Sequence, residues 1–276
     1  MRTIKVKRAD TVVLGLGLAT LTAAHGAVPL AVADVPGVDI AGLTLDAGPV
    51  SSPALLRIGT AHGNASGRSS SAADPTGVQD VFFRIGGPHA GRAATSLQVN
   101  SDHVVLDDLW AWRADHGTGV GWTQNTADTG VVVNGDDVAA TGLFVEHYQK
   151  FQVVWNGERG SDIFFQSEMP YDVPSQAAWR SSPTTDGYAA VKINDGVRQF
   201  EGFGMGTYSF FNQGIDIFAD HAYEVPTTPG VHLHDLLTIF LDATNGKGGI
   251  RHVVNDTGGS STIANPDVPV TVVDYP

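Results

Sequence analysis

Short apolar runs, broken by Gly, Asn and Asp, recur along the whole chain. Within a run, apolar residues either alternate with polar ones or follow one another directly, which is the pattern of β-strands and not of helices. Aligned on their apolar residues, eight runs end at Ala19, Asp46, Gly86, Trp112, Glu146, Glu168, Gly206 and Ile239. The spacing of these ends is irregular, so we expect a constant strand core with loops of different length between the strands.

The pattern favours a single right-handed parallel β-helix over a β-sandwich. Several runs are almost continuously apolar, as expected of parallel strands that are covered on both faces. A sandwich would also contain many short strands. However, the hairpin dipeptides Asn134-Gly135 and Asn245-Gly246 fall in predicted loops and do not join neighbouring runs. The predicted fold class is therefore all-β, a solenoid with almost no helix.

Two of the runs, residues 143–148 and 162–169, carry carboxylates at equivalent positions, Glu146 and Glu168. Their offset, 168 − 146 = 22 residues, is about the length of one coil of a parallel β-helix. Neighbouring strands lie roughly 4.8 Å apart, and like charges that close raise the pKa of one group. A protonated acid beside a carboxylate is what glycoside hydrolysis requires. The alternative is that Glu146 and Glu168 are two unrelated surface residues, because the spacing alone does not distinguish the two cases.

Aromatic side chains accompany the two acids. Trp112 shares their column in the alignment, and Trp110 points the same way two residues earlier. Tyr148 and Tyr171 lie just beyond the two glutamates, and Gln166 precedes the second. Aromatic rings beside carboxylates are typical of a sugar site, so we predict that these five side chains bind substrate. Packing in the core is the alternative for the two tryptophans.

Composition narrows the range of partners. The formal net charge is −13, and Lys and Arg form no cluster, which argues against binding to nucleic acid or to an anionic membrane. No apolar run approaches the roughly 20 residues that span a bilayer. The chain has no cysteine, which excludes disulfides and thiolate metal sites. A neutral, hydroxyl-rich partner such as a sugar is compatible with all of these features.

Other reactive side chains are weaker candidates. His232 and His234 share one face of a strand, but no third metal ligand is evident. Asp115-His116 has residue types found in nucleophilic triads, but the sequence lacks a Gly-x-Ser-x-Gly turn. No Gly-rich phosphate loop lies between a strand and a helix. We therefore predict neither a metal site nor a cofactor.

Residues 1–276 are predicted to form one domain. Residues 11–21 imitate the apolar part of a signal peptide, but we interpret them as the first strand–Gly–strand unit. Residues 59–77 are rich in Ser, Gly and Ala and are predicted to form an exposed, mobile loop. Residues 258–267 resemble a linker, after which residues 268–275 form a final strand that caps the stack.

The segments FVEHYQKFQVVWNG and FFQSEMPYD resemble glycoside hydrolase family 55, the exo-acting β-1,3-glucanases. The resemblance extends through LWAWRADHG, the PSQAAW loop and the tail GIRHVVNDTGG, and so covers nearly the whole chain. Members of the family carry two β-helix domains in tandem, and this chain resembles only the second, C-terminal one. The resemblance implies a pectate-lyase-like β-helix, an extracellular location and β-1,3-glucan as the substrate. It also implies a missing N-terminal β-helix domain as a partner, in cis or in trans.

The same resemblance implies roles for the site residues. Glu168 matches the general acid of an inverting reaction, and Glu146 matches the carboxylate that helps to set its charge state. Trp112 and Tyr171 match aromatic residues that contact the sugar. The side chains that hold the attacking water come from the first domain of the family, and nothing here corresponds to them. An inverting acid and base lie roughly 6.5–9.5 Å apart, so Glu146 is expected to be too close to Glu168 to act as the base.

Two other functions remain open from the sequence. Half of an active site can bind glucan without cleaving it, so the alternative is a non-catalytic glucan-binding or assembly module left by loss of the first domain. A polysaccharide lyase of the pectate type suits the fold alone, but the predicted acidic face lacks the basic residue expected of such an enzyme. Release of glucose from laminarin would distinguish the hydrolase from the module, and dependence on calcium would indicate the lyase.

Overall fold

The computed structural model describes residues 3–60 and 71–276, which form an all-β structure. In chain order the strands are β1 (Ile4–Val6), β2 (Val12–Leu14), β3 (Thr20–Thr22), β4 (Leu30–Val32), β5 (Asp39–Asp46), β6 (Leu56–Ile58), β7 (Thr76–Ile85), β8 (Thr95–Val99), β9 (Val104–Arg113), β10 (Thr129–Val133), β11 (Ala139–Glu146), β12 (Val153–Trp155), β13 (Gly160–Glu168), β14 (Arg180–Ser182), β15 (Thr185–Asp186), β16 (Val191–Ile193), β17 (Phe200–Ser209), β18 (Ile217–Glu224), β19 (Val231–Phe240), β20 (Gly248–Val254), β21 (Ser261–Thr262) and β22 (Val270–Tyr275). A single 3₁₀ turn, Gln176–Ala178, is the helical segment among the described residues. None of the helical structure described is long and apolar enough to cross a membrane.

The strands belong to two large sheets that the chain visits in turn. Sheet A has the order β1-β4-β6-β8-β10-β12-β16-β18-β20-β21. Sheet B has the order β2-β5-β7-β9-β11-β13-β17-β19-β22, with β3 also paired to β5. Pairing in both sheets is parallel until β21 and β22, which pair antiparallel with β20 and β19 at the C-terminal end. Each passage through both sheets makes one coil, and the coils stack.

Strands of successive coils lie in register, and this register builds the core. In sheet B, Leu43, Val81, Leu109 and Leu143 are partners on consecutive strands, and all four side chains are buried. Sheet A contributes a matching stack of buried apolar residues, namely Ile58, Val99, Val133, Trp155 and Ile193. Burial of one large apolar side chain stabilises the fold by about 1.5–3 kcal/mol, so each coil adds its own share to the core.

Every long strand of sheet B bends at one residue with left-handed backbone. These residues stack on one another through the coils, and they are Gly42, Asp80, Asp108, Gly142, Phe164, Gly204 and Asp235. Glycine adopts this conformation freely and Asp tolerates it, whereas a bulky residue is strained there. Phe164, at φ 67°, is therefore the exception in the column. Its ring is 60% exposed and packs edge-on against Phe144.

A ladder of asparagine side chains follows the strands of sheet A. Asn134 donates to Asn100, Asn156 donates to Asn134, and Asn194 donates to Asn156, with distances of 2.8, 2.7 and 3.1 Å. Asn100 in turn donates to the carbonyl of Gly59 at 3.3 Å. Each bond joins equivalent positions on neighbouring coils. The ladder therefore continues the parallel hydrogen bonding of the backbone at a turn where the sheet itself has ended.

A few polar groups lie inside the stack. Ser167, Thr207 and Thr238 are partners on consecutive strands, and their side chains are completely buried. Thr207 donates a hydrogen bond of 3.0 Å to the hydroxyl of Tyr223. Asp162 is 1% exposed, and burial raises its pKa to about 8. The Asp162 carboxyl group is therefore neutral in the folded protein near pH 7.

The structure confirms the all-β prediction and corrects the alignment of three runs. The register places Thr22, Arg84 and Tyr208 where the alignment had Ala19, Gly86 and Gly206. Gly86 follows β7 and has a φ of 84°, so the apolar run that ends at Gly86 in the alignment extends past the end of the strand. Within residues 11–21, β2 and the start of β3 pair with β5. The predicted final strand is β22, whereas residues 61–70 of the predicted mobile loop lie outside the described residues.

Replacing Phe164 by Asn is expected to stabilise the protein. The left-handed backbone costs a bulky residue about 1–2 kcal/mol, which Asn largely avoids, and the exposed ring loses little burial. We expect the free energy of unfolding in urea to rise by about 1 kcal/mol. Phe203→Asn is the control, because Phe203 is also an exposed phenylalanine on a strand of sheet B, β17, but its own backbone is not left-handed. Equal destabilisation of both variants would contradict the strain argument.

Asp162→Asn should change how stability depends on pH. The folded protein holds the Asp162 proton up to about pH 8, whereas the unfolded chain releases it near pH 3.9. Folding therefore takes up a proton between these values, and this group lowers stability as pH rises. Thermal unfolding should show a smaller loss of stability from pH 5 to pH 8 in Asp162→Asn than in the unmodified protein. The exposed Asp107→Asn is the control, and parallel curves for all three proteins would refute the assignment.

Candidate active site

Glu146 and Glu168 lie side by side on sheet B. β11 and β13 pair in register, and Glu146 is the direct partner of Glu168. Glu146 is also the partner of Trp112 on β9, and Glu168 is the partner of Tyr208 on β17. Partners on neighbouring strands lie roughly 4.8 Å apart. The structure thus places Trp112, Glu146 and Glu168 in one column, as the 22-residue offset between the two acids predicted.

The column continues toward the N-terminal coils with Arg84 and Asp46. Arg84 is the partner of Trp112 on one side and of Asp46 on the other. Its guanidinium donates to both carboxyl oxygens of Asp46, each at 2.7 Å. The expectation that the acidic face lacks a basic residue is therefore wrong. That expectation arose because the sequence alignment places Gly86 in this column, although Gly86 lies beyond the end of β7.

A second column runs beside the first on the same outward face, two residues earlier on each strand. It contains Phe82, Trp110, Phe144 and Gln166. The rings of Trp110 and Trp112 stack, with centroids 5.5 Å apart and planes inclined by 23°. Trp110 remains 39% exposed. The two columns together form an aromatic surface that ends at the acid pair.

Glu146 is held by the indole of Trp110. The Nε1–H group of Trp110 donates to Oε2 of Glu146 at 2.8 Å. Burial raises the pKa of Glu146, and the negative charge of Asp115 acts in the same direction. The contacts with Trp110 and Gln166 oppose this rise, because they stabilise the carboxylate. Trp110 and Gln166 are thus placed to orient Glu146 as well as to face a ligand.

Glu168 is the more strongly perturbed acid of the pair. Burial raises the pKa of Glu168 to about 7, and the charges of Glu146 and Asp115 reinforce this effect. The hydroxyl of Tyr171 donates a hydrogen bond to Oε2 of Glu168. The ring of Tyr171 packs against His147 and Phe210, with centroid distances of 4.4 and 4.9 Å. A carboxyl group with this pKa is available as a proton donor up to near-neutral pH.

His147, which was not among the site residues predicted from the sequence, is buried beside Glu168. Its side chain is almost completely buried, and burial lowers its pKa to about 4. Nδ1 lies 3.2 Å from the carbonyl oxygen of Met169, and Nε2 lies 3.9 Å from Oε2 of Glu168. His147 is therefore neutral near pH 7 and places an imidazole nitrogen, not a positive charge, beside the acid. The only signal in the sequence that could have identified His147 as a site residue is its position directly after Glu146.

Asp115 is a third carboxylate at the site. Its Oδ1 accepts hydrogen bonds from Nε1 of Trp112 at 3.3 Å and from Nδ1 of His116 at 2.8 Å. It also lies 3.9 Å from Nε2 of His147. In the sequence, Asp115-His116 indicated only a part of a nucleophilic triad. Asp115 lies three residues after Trp112, near enough to the acid pair for its charge to raise both of their pKa values, and this place depends on the path of the loop that follows β9.

Arg113 connects the loops around the acids. Its side chain is 1% exposed, and its guanidinium donates to both oxygens of Asp172, at 3.0 and 2.7 Å. It also donates to the carbonyl oxygens of Asn125 and His147, at 2.9 and 3.0 Å. One buried cation thus joins the end of β9, the residue after Glu146 and the segment that carries Tyr171. Loss of this side chain would leave the Asp172 carboxylate without its charge partner.

Of the predicted site residues, Tyr148 does not belong to the surface. Its side chain is completely buried, and its hydroxyl forms a 2.6 Å hydrogen bond with Ser96. Glu146 ends β11, and the chain then turns inward at His147, which has φ 65°. This turn directs the Tyr148 ring into the core. The six other predicted side chains lie together, namely Trp110, Trp112, Glu146, Gln166, Glu168 and Tyr171.

Stacked parallel coils that carry acids and aromatic rings on an outward sheet face define a protein of the pectate-lyase-like class. The family model described as the LAM55 pectate lyase-like domain matches residues 1–168. This match spans more than half of the chain and reaches Glu168. The chain belongs to this family.

Two relatives refine the comparison. An exo-beta-1,3-glucanase from Streptomyces sp. (strain SirexAA-E / ActE) is 50% identical over 273 residues, which make up 99% of this chain and 44% of the relative. The solved structure of sacteLam55A from Streptomyces sp. SirexAA-E has a TM-score of 0.93 and 48% identity, and the match covers all of this chain and 48% of that one. A variant of sacteLam55A in complex with glucose matches equally well. The chain thus spans about half of the length of these relatives.

Glu146→Gln should lower the pKa of Glu168 from its value of about 7. The substitution removes the nearest negative charge and retains an oxygen that accepts from Trp110. We expect a fall on the order of one pH unit, measured by NMR on ¹³C-labelled glutamate carboxyls. Glu201→Gln, on strand β17 away from the acid pair, is the control and should leave the pKa of Glu168 unchanged. An unchanged value in Glu146→Gln would show that the two acids are not coupled.

Proposed function

We propose that this chain is the acid-bearing part of a glycoside hydrolase that acts on β-1,3-glucan of the laminarin type. The observation that carries the proposal is a glutamic acid, Glu168, whose pKa is raised to about 7 beside a second carboxylate on an aromatic surface. Support also comes from the relatives, because the protein that is 50% identical bears the name exo-beta-1,3-glucanase. A variant of sacteLam55A was solved with glucose bound.

In the proposed reaction, Glu168 is the general acid. Its carboxyl proton passes to the glycosidic oxygen as the bond from that oxygen to the anomeric carbon breaks. A water oxygen forms the new bond on the opposite side of the sugar, which inverts the configuration, and the water proton passes to a base. Burial keeps Glu168 protonated by raising its pKa, and the charge of Glu146 reinforces this effect. Trp112 and Tyr171 bind the terminal glucosyl unit. The exo mode of action is proposed from the name of the relative that is 50% identical, exo-beta-1,3-glucanase.

The base is proposed to lie outside this chain. Glu146 and Glu168 are partners on adjacent strands, and the strand spacing of roughly 4.8 Å is shorter than the roughly 6.5–9.5 Å of an inverting pair. Since the relatives are about twice as long, we propose that a further β-helix domain, joined in cis or supplied in trans, positions the water. We also propose that the described coils wind as a single right-handed parallel β-helix, the hand that parallel crossovers almost always take. The proposed location is extracellular, where glucan is accessible.

The short distance between Glu146 and Glu168 on adjacent strands favours a second candidate function, a glucan-binding or assembly module without catalysis. A surface that holds an acid but no base on the far side of the sugar binds glucan and leaves it intact. A pectate-type lyase is less well supported, although Arg84 supplies a basic residue. Two of the guanidinium nitrogens of Arg84 are engaged by Asp46. In the part of the chain that the structure describes, no group of three or more His, Cys, Asp or Glu is arranged to hold a metal ion such as calcium.

Glu168→Gln tests the proposed role on laminarin. If the chain is a hydrolase, glucose release should fall by at least about 10²-fold, because the amide cannot deliver a proton. Binding of laminari-oligosaccharides should change little, since the side chain keeps its shape. Glu201→Gln is the matched control and should retain activity. Binding without glucose release by the unmodified chain, even when the further domain is supplied, would favour the module, and full activity of Glu168→Gln would overturn the assignment.

A further inference from the structure

Every hydrogen-bond donor of Arg113 is used within the protein. Arg113 is the last residue of β9, and its side chain points inward. Its guanidinium makes five hydrogen bonds, two to Asp172 and one each to the carbonyl oxygens of Gly121, Asn125 and His147. A guanidinium has the same number of N–H groups. Because no donor is left over and the side chain is 1% exposed, Arg113 has no group with which to contact a sugar.

Two of the five bonds reach the segment that covers Glu168. Asp172 directly follows Tyr171, whose hydroxyl donates to Oε2 of Glu168. Arg113 binds both carboxyl oxygens of Asp172, at 3.0 and 2.7 Å. A bidentate pair of this kind fixes orientation as well as distance. The position of the Tyr171 ring therefore depends on Arg113.

The other three bonds hold backbone on the remaining sides of Glu168. The carbonyl oxygens of Gly121 and Asn125, at 3.3 and 2.9 Å, belong to the loop that follows β9. The carbonyl oxygen of His147 accepts at 3.0 Å. His147 has a left-handed backbone, with φ 65°, and its Nε2 lies 3.9 Å from Oε2 of Glu168. Such a conformation persists only where the surroundings support it, and Arg113 is part of that support.

The positive charge of Arg113 is compensated before it reaches the acid. Asp172 lies 2.7 Å from the guanidinium. Burial is the largest cause of the raised pKa of Glu168, and the charges of Glu146 and Asp115 add to it. The influence of Arg113 on Glu168 therefore passes through the positions of the segments that bury the acid, and not through charge.

We propose that Arg113 is a positioning residue for Glu168, whose guanidinium holds the Tyr171 segment, the loop after β9 and the turn at His147 together around the acid and so excludes water from it. The inference rests on the proposed function, in which Glu168 is the proton donor. Lysine cannot replace Arg113 in this role, because an ammonium group has three donors and no planar fork to match the Asp172 carboxylate. Arg113→Lys thus keeps the charge and removes the geometry.

The test measures the pKa of Glu168 in Arg113→Lys by NMR on ¹³C-labelled glutamate carboxyls. Looser segments admit water, so we expect the pKa of Glu168 to fall from about 7 by at least about one pH unit. Loss of the hydrogen bond from Tyr171 acts in the opposite direction, but burial is the main cause of the raised pKa. Arg251→Lys is the control, because Arg251 also binds two carboxylates but lies on β20 of sheet A. It should leave the pKa of Glu168 unchanged.

The outcomes separate this inference from the proposed function. A purely structural role would lower the melting temperature of Arg113→Lys and leave the pKa of Glu168 unchanged, which would overturn the inference while the proposed function stands. If Glu168 of the unmodified chain titrates at about 4.3, the ordinary glutamate value, the proposed function loses its main support and the inference fails with it.

A second variant covers the case in which Arg113→Lys does not fold. Asp172 is partly exposed, so Asp172→Asn is better tolerated. It removes the bidentate tie to the Tyr171 segment and should also lower the pKa of Glu168. An unchanged pKa in this variant would contradict the proposal equally.

Discussion

In-register parallel pairing is the constraint on which the rest of this structure depends. Each coil must place its hydrogen-bonding groups over those of the coil before it, and a shift of one residue would turn every outward side chain into the core. Glu146 can lie beside Glu168 only because Leu143 pairs with Phe165 and Val145 with Ser167 on the same two strands. The loops between strands carry no such constraint, so their lengths vary while the column of outward residues is preserved.

The chemistry of the site follows from where this column meets the loops. The strands supply two acids at a fixed spacing, and burial by the surrounding loops accounts for the largest part of the raised pKa of Glu168. Arg113 holds these loops together from below, through Asp172 and the carbonyl of His147. His147 is kept neutral by its own burial, so it adds no positive charge that would lower the pKa of the acid. The strands thus set the positions of the two acids, and burial by the loops sets the protonation state of Glu168.

The sequence predicted the site residues whose positions depend on local periodicity. It missed those whose positions depend on whether the chain turns inward or outward at the end of a strand. The two acids and Trp112 were placed in one column because their runs are clear and end at the same register position. Arg84 was missed because the apolar run of β7 continues past the strand into Gly86. Tyr148 was misplaced because a single left-handed residue, His147, turns the chain inward after Glu146. Asp115 comes to the site through a loop, for which the sequence gives no period.

The hydrogen bonds of the asparagine ladder all run in the same direction, so the side-chain dipoles add along the stack, which isolated hydrogen bonds do not do. Each asparagine donates its amide N–H group toward the preceding coil. Asn100, Asn134 and Asn156 accept on their oxygens from the following coil, whereas the last one, Asn194, accepts from the N–H group of Gly196 in its own turn. The side-chain dipoles therefore align head to tail, as peptide dipoles do along a helix, and each bond polarises the next. Removing an inner rung such as Asn134 interrupts two bonds and divides the dipole chain, whereas removing the last rung merely shortens it. The hydrogen bonds of the ladder thus depend on one another most at its inner rungs, Asn134 and Asn156, which lie on the coils that carry the acids.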